Sequence, residues 1–250
     1  MCLLALGWQH HPRWRLVMAG NRDEFHARPT APLAPWQQPE GILGGRDLRS
    51  GGGWAAVDRT GRLAVVTNVR DPLATQTGRS RGALVAEYLQ SRVSARAQAA
   101  KLAGQTQAYP PFNLLLADAQ HLCHLGNHPA GAQMLPPGVH GMSNGALAAP
   151  WPKTRRLMAA LSAWLAAGQE TLDPLWQALA DEHRPEDAAL PDTGIGLERE
   201  RWLSAAFIRG AQYGTRASTL VLIDHHGHGQ IHERRFGPHG VPAGESSVSF

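Results

Sequence analysis

"MCLLALGWQHHPRWRLVMAGNRDEF", residues 1–25, is the stretch on which the fold turns. CLLALGW (2–8) and RWRLVMAGN (13–21) are strand-like runs, and QHHP (9–12) between them reads as a hairpin turn. Residues 2–6 and 16–20 are therefore expected to pair antiparallel. The second run ends abruptly in Asn21, Arg22, Asp23 and Glu24: an amide, a guanidinium and two carboxylates side by side. A solvated turn is the ordinary reading of such a tetrapeptide, so its purpose depends on the rest of the chain.

Working outward, RPTAPLAPWQQPEG (28–41) reads as a proline-rich loop, and GILGGRDLRSGGGW (41–54) offers glycines for tight turns. WAAVDRTGRLAVVTNVR (54–70) is a second hairpin turning at Asp58 to Gly61. The Asn68 strand is expected in the same sheet as residues 2–6. GRSRGALVAEYLQS (78–91) has Leu84, Val85, Tyr88 and Leu89 on one helical face. A second short helix is expected over Ala95 to Leu102. FNLLLADAQHLCHLGN (112–127) reads as a third hairpin.

Residues 138–168 run from strand to loop to helix, with Pro152 suited to a first helical turn. Residues 173–183 look helical, 184–196 read as a loop, and 197–207 carry no clear pattern. TRASTLVLIDHHGHGQIHERRF (215–236) is a fourth hairpin turning at His225 to Gly229, its first strand expected to neighbour the N-terminal pair. The tail beyond about residue 237 is expected to be flexible. Strands arrive in antiparallel pairs and helices in groups, which argues for a layered α+β architecture in a single domain, 1–250.

Composition narrows the function classes. With 43% hydrophobic and 18% charged residues the chain is an ordinary globular protein. No apolar run approaches the roughly 20 residues of a membrane span, and residues 1–15 lack the basic region of a signal peptide, so a cytoplasmic location is expected. The net charge of +4 is spread without a basic block, which argues against a nucleic-acid partner. Only Lys101 and Lys153 are lysine. Two cysteines, Cys2 and Cys123, are too few for a disulfide framework and form no CxxC.

Cys2 occupies a chemically special position. Once Met1 is removed, its α-amine lies beside its own thiol. Such an amine has a pKa of about 7.7–8.0 and can take the thiol proton near neutral pH. One residue then supplies both nucleophile and base; an incidental cysteine buried with Leu3 and Leu4 is the competing reading. Thiolate acyl transfer also needs an oxyanion hole, for which side-chain amides serve. Asn68 (LAVVTNVRDP) and Asn144 (VHGMSNGALAAPW) stand at strand ends, though each alone is also a common turn former. Arg216, opening the apolar run after QYGT, is a charge in want of a partner.

Together NRDEF.ARP, GGGWAAVDRTGRLAVVTN, GMSNGALAAPWPK and YGTRASTLVLID resemble the NRDE family, also called the transport and Golgi organisation protein 2 family. The resemblance runs from Met1 to about Phe236. It implies a fold similar to N-terminal nucleophile hydrolases: an αββα sandwich, two antiparallel sheets stacked between helical layers. The cysteine branch with choloylglycine hydrolases and penicillin V acylase is the most similar.

Carried over by that resemblance, Cys2 matches the nucleophile, Asn68 the first oxyanion amide, Asn144 the second polar asparagine and Arg216 the late arginine. Arg22 would support the thiolate, while Asp23 and Glu24 compete to hold the N-terminal amine. The acylases space their arginine and aspartate further apart, whereas Arg22 and Asp23 are adjacent here. Asn21, Glu24, Trp54 and Trp151 are expected to contact ligand. No cofactor or metal is expected to be required. The implied partner is a small-molecule acyl substrate of amide or thioester type.

Family links to haem mobilisation and acyl-coenzyme A homeostasis imply an alternative, a haem or acyl-coenzyme A carrier without turnover. Haem ligands would then come from Cys2 or from His121, His124, His225, His226 and His228. The first two histidines match no clean metal spacing, and the other three sit at an expected hairpin tip.

Overall fold

The first strand, β1 (Cys2–Trp8), is buried along its whole length, because both its faces are covered. Period-two alternation splits its side chains: Leu4, Leu6 and Trp8 join one apolar cluster, Leu3 and Ala5 another. This computed structural model describes residues 2–168 and 170–250. β2 (Trp14–Phe25) pairs antiparallel with β1, as the hairpin reading requires, with Cys2 opposite Arg22 and Leu4 opposite Gly20.

β3 (Thr30–Pro35), β4 (Ile42–Asp47), β5 (Ala55–Asp58) and β6 (Leu63–Asn68) precede two helices, α1 (Arg81–Gln90) and α2 (Ala95–Ala103). β7 (Phe112–Ala117), β8 (Leu122–Asn127), β9 (Ala130–Met134) and β10 (Gly138–Met142) lead into α3 (Pro152–Ala167), α4 (Asp173–Leu179) and α5 (Leu197–Trp202). β11 (Tyr213–Asp224), β12 (Gly229–Phe236) and β13 (Pro242–Ser249) close the chain.

The strands form a six-stranded sheet, β10-β1-β2-β11-β12-β13, and a seven-stranded sheet, β3-β4-β5-β6-β7-β8-β9. Leu4, Met18, Val65, Leu115 and Val221 fill the space between the sheets. α1 and α2 cover the outer face of the larger sheet through Leu84, Val85, Tyr88 and Leu102. α3 and α4 cover the outer face of the smaller one through Leu157, Leu161 and Leu175. Each such leucine contributes roughly 1.5–3 kcal/mol by leaving water. The result is the expected α+β, four-layer αββα sandwich.

Three expectations are corrected. The Asn68 strand, β6, lies in the opposite sheet from β1, because its hairpin with β5 extends to β7 rather than back to the N-terminal pair. Residues 28–54 are not all loop: β3 takes the edge, where its prolines cost no ladder hydrogen bond, and β4 pairs beside it. The tail expected to be flexible pairs with β12 as β13, Val248 opposite Ile231.

Candidate active site

The N-terminal hairpin sets the centre of the site. Cys2 and Arg22 are cross-strand partners, so their side chains leave the same face of the smaller sheet, toward the larger one. Both line a cleft of about 550 Å³, as do Asp23, Glu24, Trp54 and Asn68. Asn68 reaches it from the end of β6, so the cleft is built across the gap between sheets.

Two loops hold that gap closed. Asn144 Nδ2 donates to the Asn68 carbonyl at 2.8 Å, and Arg70 N donates back to the Asn144 carbonyl at 2.6 Å. Thr67 Oγ1 donates to the Ser143 carbonyl at 2.9 Å, and Ser143 Oγ donates to the Cys2 carbonyl at 3.0 Å. A side-chain ladder thus runs from Cys2 through Ser143 and Asn144 to Asn68.

Charge organises the rest of the cleft. Arg22 Nη2 donates to Asp47 Oδ2 at 3.1 Å, and Arg28 forms a bidentate pair with the same carboxylate. Burial works to raise the Asp47 pKa, but the bonds from Arg28 and from Ser50 outweigh it and hold it below the ordinary value. Glu24 lies 3.9 Å from both guanidinium groups. Arg81, first residue of α1, lines the cleft and donates to the Pro111 carbonyl at 3.0 Å; burial lowers its pKa while Cys2 and Glu24 raise it. The glycine run before Trp54 lets α1 approach, since a Cβ on Gly52 would lie 2.3 Å from the Gly82 carbonyl carbon.

Asp23, next to Arg22 in β2, is buried at the edge of the cleft, with Oδ1 accepting from Thr215 Oγ1 at 2.7 Å. Burial pushes its pKa up, against the Lys153 ammonium and the Thr215 hydroxyl. Lys153 Nζ donates to the Leu203 carbonyl at 2.8 Å, and burial lowers its pKa to about 8. Nearby, Arg70 bonds Glu200 at 2.5 Å and stacks on Trp151. Cys2 itself is 6% exposed, and burial raises its thiol to about 11, with Arg22 pulling the other way. Met1, on whose removal the amine of Cys2 depends, lies outside the described residues.

The expected site residues divide. Cys2, Arg22, Asp23, Glu24, Trp54 and Asn68 share the cleft. Asn21 does not line it: its amide donates to the Leu179 and Ala206 carbonyls and accepts from Ser218, pinning α4 to β2. Arg216 does not line it either. It is the extra residue of a β-bulge in β11, which turns its guanidinium to the carbonyls of Phe25, His26 and Arg28. Trp151 is absent from the cleft wall and packs against Arg70 instead. Asn144 acts on Asn68 rather than lining the cleft itself.

Sequence reasoning missed Arg28, Asp47, Arg81 and Lys153. Asp47 had a local signal, since its carboxylate caps the turn by accepting from the backbone of Arg49 and Ser50. Lys153, one of two lysines in an arginine-rich chain, was visible but unplaced.

Of the histidines, His124 is buried in the larger sheet against Asn113 at 3.0 Å, where burial lowers its pKa to about 4. His225, His226 and His228 occupy the β11–β12 turn. Eight residues of β11 lie between Thr215 and Asp224, roughly 30 Å of strand, so this turn is remote from Cys2. Among the described residues no three His, Cys, Asp or Glu side chains are grouped to hold a metal.

The fold is similar to that of N-terminal nucleophile hydrolases. A Caenorhabditis elegans N-acylethanolamine-hydrolyzing acid amidase ortholog superposes with a TM-score of 0.53 at 9% identity, over 88% of this chain and 92% of that one. The C2A mutant of a conjugated bile acid hydrolase from Clostridium perfringens superposes with a TM-score of 0.54 at 6% identity, over 99% and 92%.

Within that fold the chain belongs to the Transport and Golgi organisation 2 family, whose family model matches residues 1–238. The Bos taurus and Homo sapiens Transport and Golgi organization protein 2 homologs are each 31% identical over 94% of this chain and 92% of their own length. The Drosophila melanogaster Transport and Golgi organization protein 2 is 27% identical over 90% and 88%. Among the described residues no helix is long and apolar enough to cross a membrane.

Proposed function

We propose that this chain, once Met1 is removed, is an N-terminal cysteine hydrolase or acyltransferase acting on an amide or thioester. The observation that carries the reading is the meeting of Cys2, Arg22 and Asn68 on one cleft, from strands of both sheets. The fold shared with an amidase and a bile acid hydrolase supports it but does not by itself specify a reaction.

In this reading the freed amine of Cys2 takes the thiol proton, and the sulfur bonds to the acyl carbon. The Asn68 amide donates to the oxyanion. The carbon–nitrogen or carbon–sulfur bond then breaks as the amine returns its proton to the leaving group. Water attacks the resulting thioester on Cys2, releasing the acid, or a second nucleophile takes the acyl group. Asp23, the nearest buried carboxylate in sequence to Arg22, orients the amine; Glu24 is engaged with the backbone of Phe25.

A second reading, retention of haem or acyl-coenzyme A without turnover, is supported by the arginines of the same cleft. Arg22, Arg28, Arg49, Arg79 and Arg81 outnumber the carboxylates of Asp23, Glu24 and Asp47, which suits an anionic ligand. The experiment uses protein whose intact mass proves Met1 absent, assayed on a panel of amides and thioesters beside direct titration with haem and acyl-coenzyme A. Release of acyl groups that is lost in Cys2→Ala supports the enzyme. Tight binding with no release across the panel supports the carrier.

A further inference from the structure

The arginines that line the Cys2 cleft do not share its counter-charges evenly. Arg22 is paired with Asp47 at 3.1 Å, Arg28 bonds the same carboxylate, and Glu24 lies 3.9 Å from both. Arg79 forms an ion pair with Glu87 and stacks on the Tyr109 ring. Arg49 is exposed, where water answers its charge. Arg81 is different. It is half-buried, and among the described residues its guanidinium makes no ion pair with a carboxylate; Nη1 donates instead to the neutral Pro111 carbonyl at 3.0 Å. The first turn of α1 carries no acidic residue to meet it.

The backbone fixes Arg81 in place. Gly53 N donates to the Gly82 carbonyl at 3.4 Å, and a Cβ on Gly82 would lie 3.2 Å from the Gly53 carbonyl oxygen. The first turn of α1 is thus seated against the 52–54 segment, and Arg81 stands on the wall of the cleft that Cys2 lines. Burial works against its charge, while negative charge at Cys2 or Glu24 works for it. A guanidinium withdrawn from water beside a neutral partner is costly, and an anion in the cleft offsets that cost. With Nη1 turned to Pro111, the Nε–Nη2 edge is left for two oxygens of one anion to bridge.

We infer that the substrate of this cleft carries a negative charge, a carboxylate or phosphate, which Arg81 binds while the acyl carbonyl lies at Cys2. The inference rests on the acyl-transfer reading and adds to it a residue that determines specificity. Arg22 and Arg28 do not serve this role, because Asp47 and Glu24 already balance them.

The test compares three thioesters on processed wild type, Arg81→Gln and Arg81→Lys. Butyryl-N-acetylcysteamine is neutral, succinyl-N-acetylcysteamine carries its carboxylate on the acyl side, and the butyryl thioester of 3-mercaptopropionate carries it on the leaving group. Wild type should favour one of the two anionic thioesters over the neutral one by about tenfold or more in kcat/KM, and the preferred one identifies the charged side. Arg81→Gln keeps a donor for the Pro111 carbonyl and should lose about tenfold of that ratio; Arg81→Lys should keep most of it. A wild-type preference for the neutral thioester, or a ratio unchanged in Arg81→Gln, would overturn the inference and leave acyl transfer standing.

A second measurement needs no turnover. Iodoacetate and iodoacetamide alkylate the same sulfur and differ in charge, so the ratio of their rates at Cys2 cancels the thiolate fraction. That ratio should fall about fivefold or more from wild type to Arg81→Gln and recover in Arg81→Lys. If wild type releases no acyl group from any thioester, acyl transfer fails and this ratio decides whether Arg81 recruits anions; an equal ratio in wild type and Arg81→Gln overturns it. If Arg81→Gln does not fold, the wild-type ratio is compared with that of the free peptide CLLALGW, and a ratio no higher than the peptide's overturns the inference.

Discussion

Asn144 donates its side-chain amide to the backbone carbonyl of Asn68 across the two sheets, at 2.8 Å. The side-chain amide of Asn144 is thus engaged with the backbone of Asn68, whereas Asn68 itself borders the cleft. Asn68 lines the cleft at the end of β6, and Asn144 fixes that strand end.

Their substitutions should separate. Asn68→Ala should lower kcat by about 10²–10³, the cost of one oxyanion donor, with urea unfolding near wild type. Asn144→Ala leaves the half-buried Asn68 carbonyl without this donor and should cost about 1–2 kcal/mol of stability, measured by the same unfolding. Equal losses of stability in the two variants would remove the distinction.

Arg216 should prove to be a loop anchor. Arg216→Met removes the donor to three carbonyls of the 25–28 turn and should destabilise by about 1.5–3 kcal/mol. Cys2 alkylation in the folded variant should stay within about twofold of wild type. A tenfold fall in labelling at unchanged stability would return Arg216 to the chemistry.

Cys2 reactivity should depend on processing. With Met1 in place, burial holds the thiol near 11, so iodoacetamide labelling should rise about tenfold per pH unit from 7 to 10. With Met1 removed, the adjacent amine accepts the proton, and Cys2 should label faster than Cys123 near neutral pH. Cys123 is also buried, which raises its pKa. Peptide mapping by mass spectrometry reads both sites together, and preference for Cys123 in processed protein would oppose an activated Cys2.

Lys153 should give the stability curve a definite sign. Burial lowers its folded pKa to about 8 from an ordinary 10.5, so between these values the unfolded chain binds the proton and the folded chain does not. Its contribution must therefore improve as pH rises through that window, by up to about 1.4 kcal/mol per unit. Cys2, raised from 9.0 to about 11, pulls the opposite way above pH 9. The comparison of wild type with Lys153→Met belongs between pH 8 and 9, in a Cys2→Ala background. The variant should lose the upward slope; a slope equal to wild type would mean that Lys153 keeps its proton.

Much of the architecture could be read in advance because it is local. The short apolar runs in CLLALGW and RWRLVMAGN, a proline-bearing turn between them, and the one-sided face of Leu84, Val85, Tyr88 and Leu89 each act over a few residues. The same locality placed Arg22 beside Cys2, since a hairpin fixes its own register. β3 and β13 were hidden because edge strands pair on one side only and tolerate proline, glycine and serine.

What the sequence determined by itself was the set of residues that the proposed chemistry calls for: an N-terminal hairpin headed by Cys2, and asparagines at strand ends. What only the tertiary structure decided was which of them meet. Burial between two stacked sheets is a long-range outcome, and it brought Asn68, from the opposite sheet, to the cleft that Cys2 lines. It also turned Arg216 away through a single bulged residue and hid Asn21 under α4. Local pattern specifies which face of a strand is apolar; packing that face against a distant partner selects the neighbours, and the neighbours make the site.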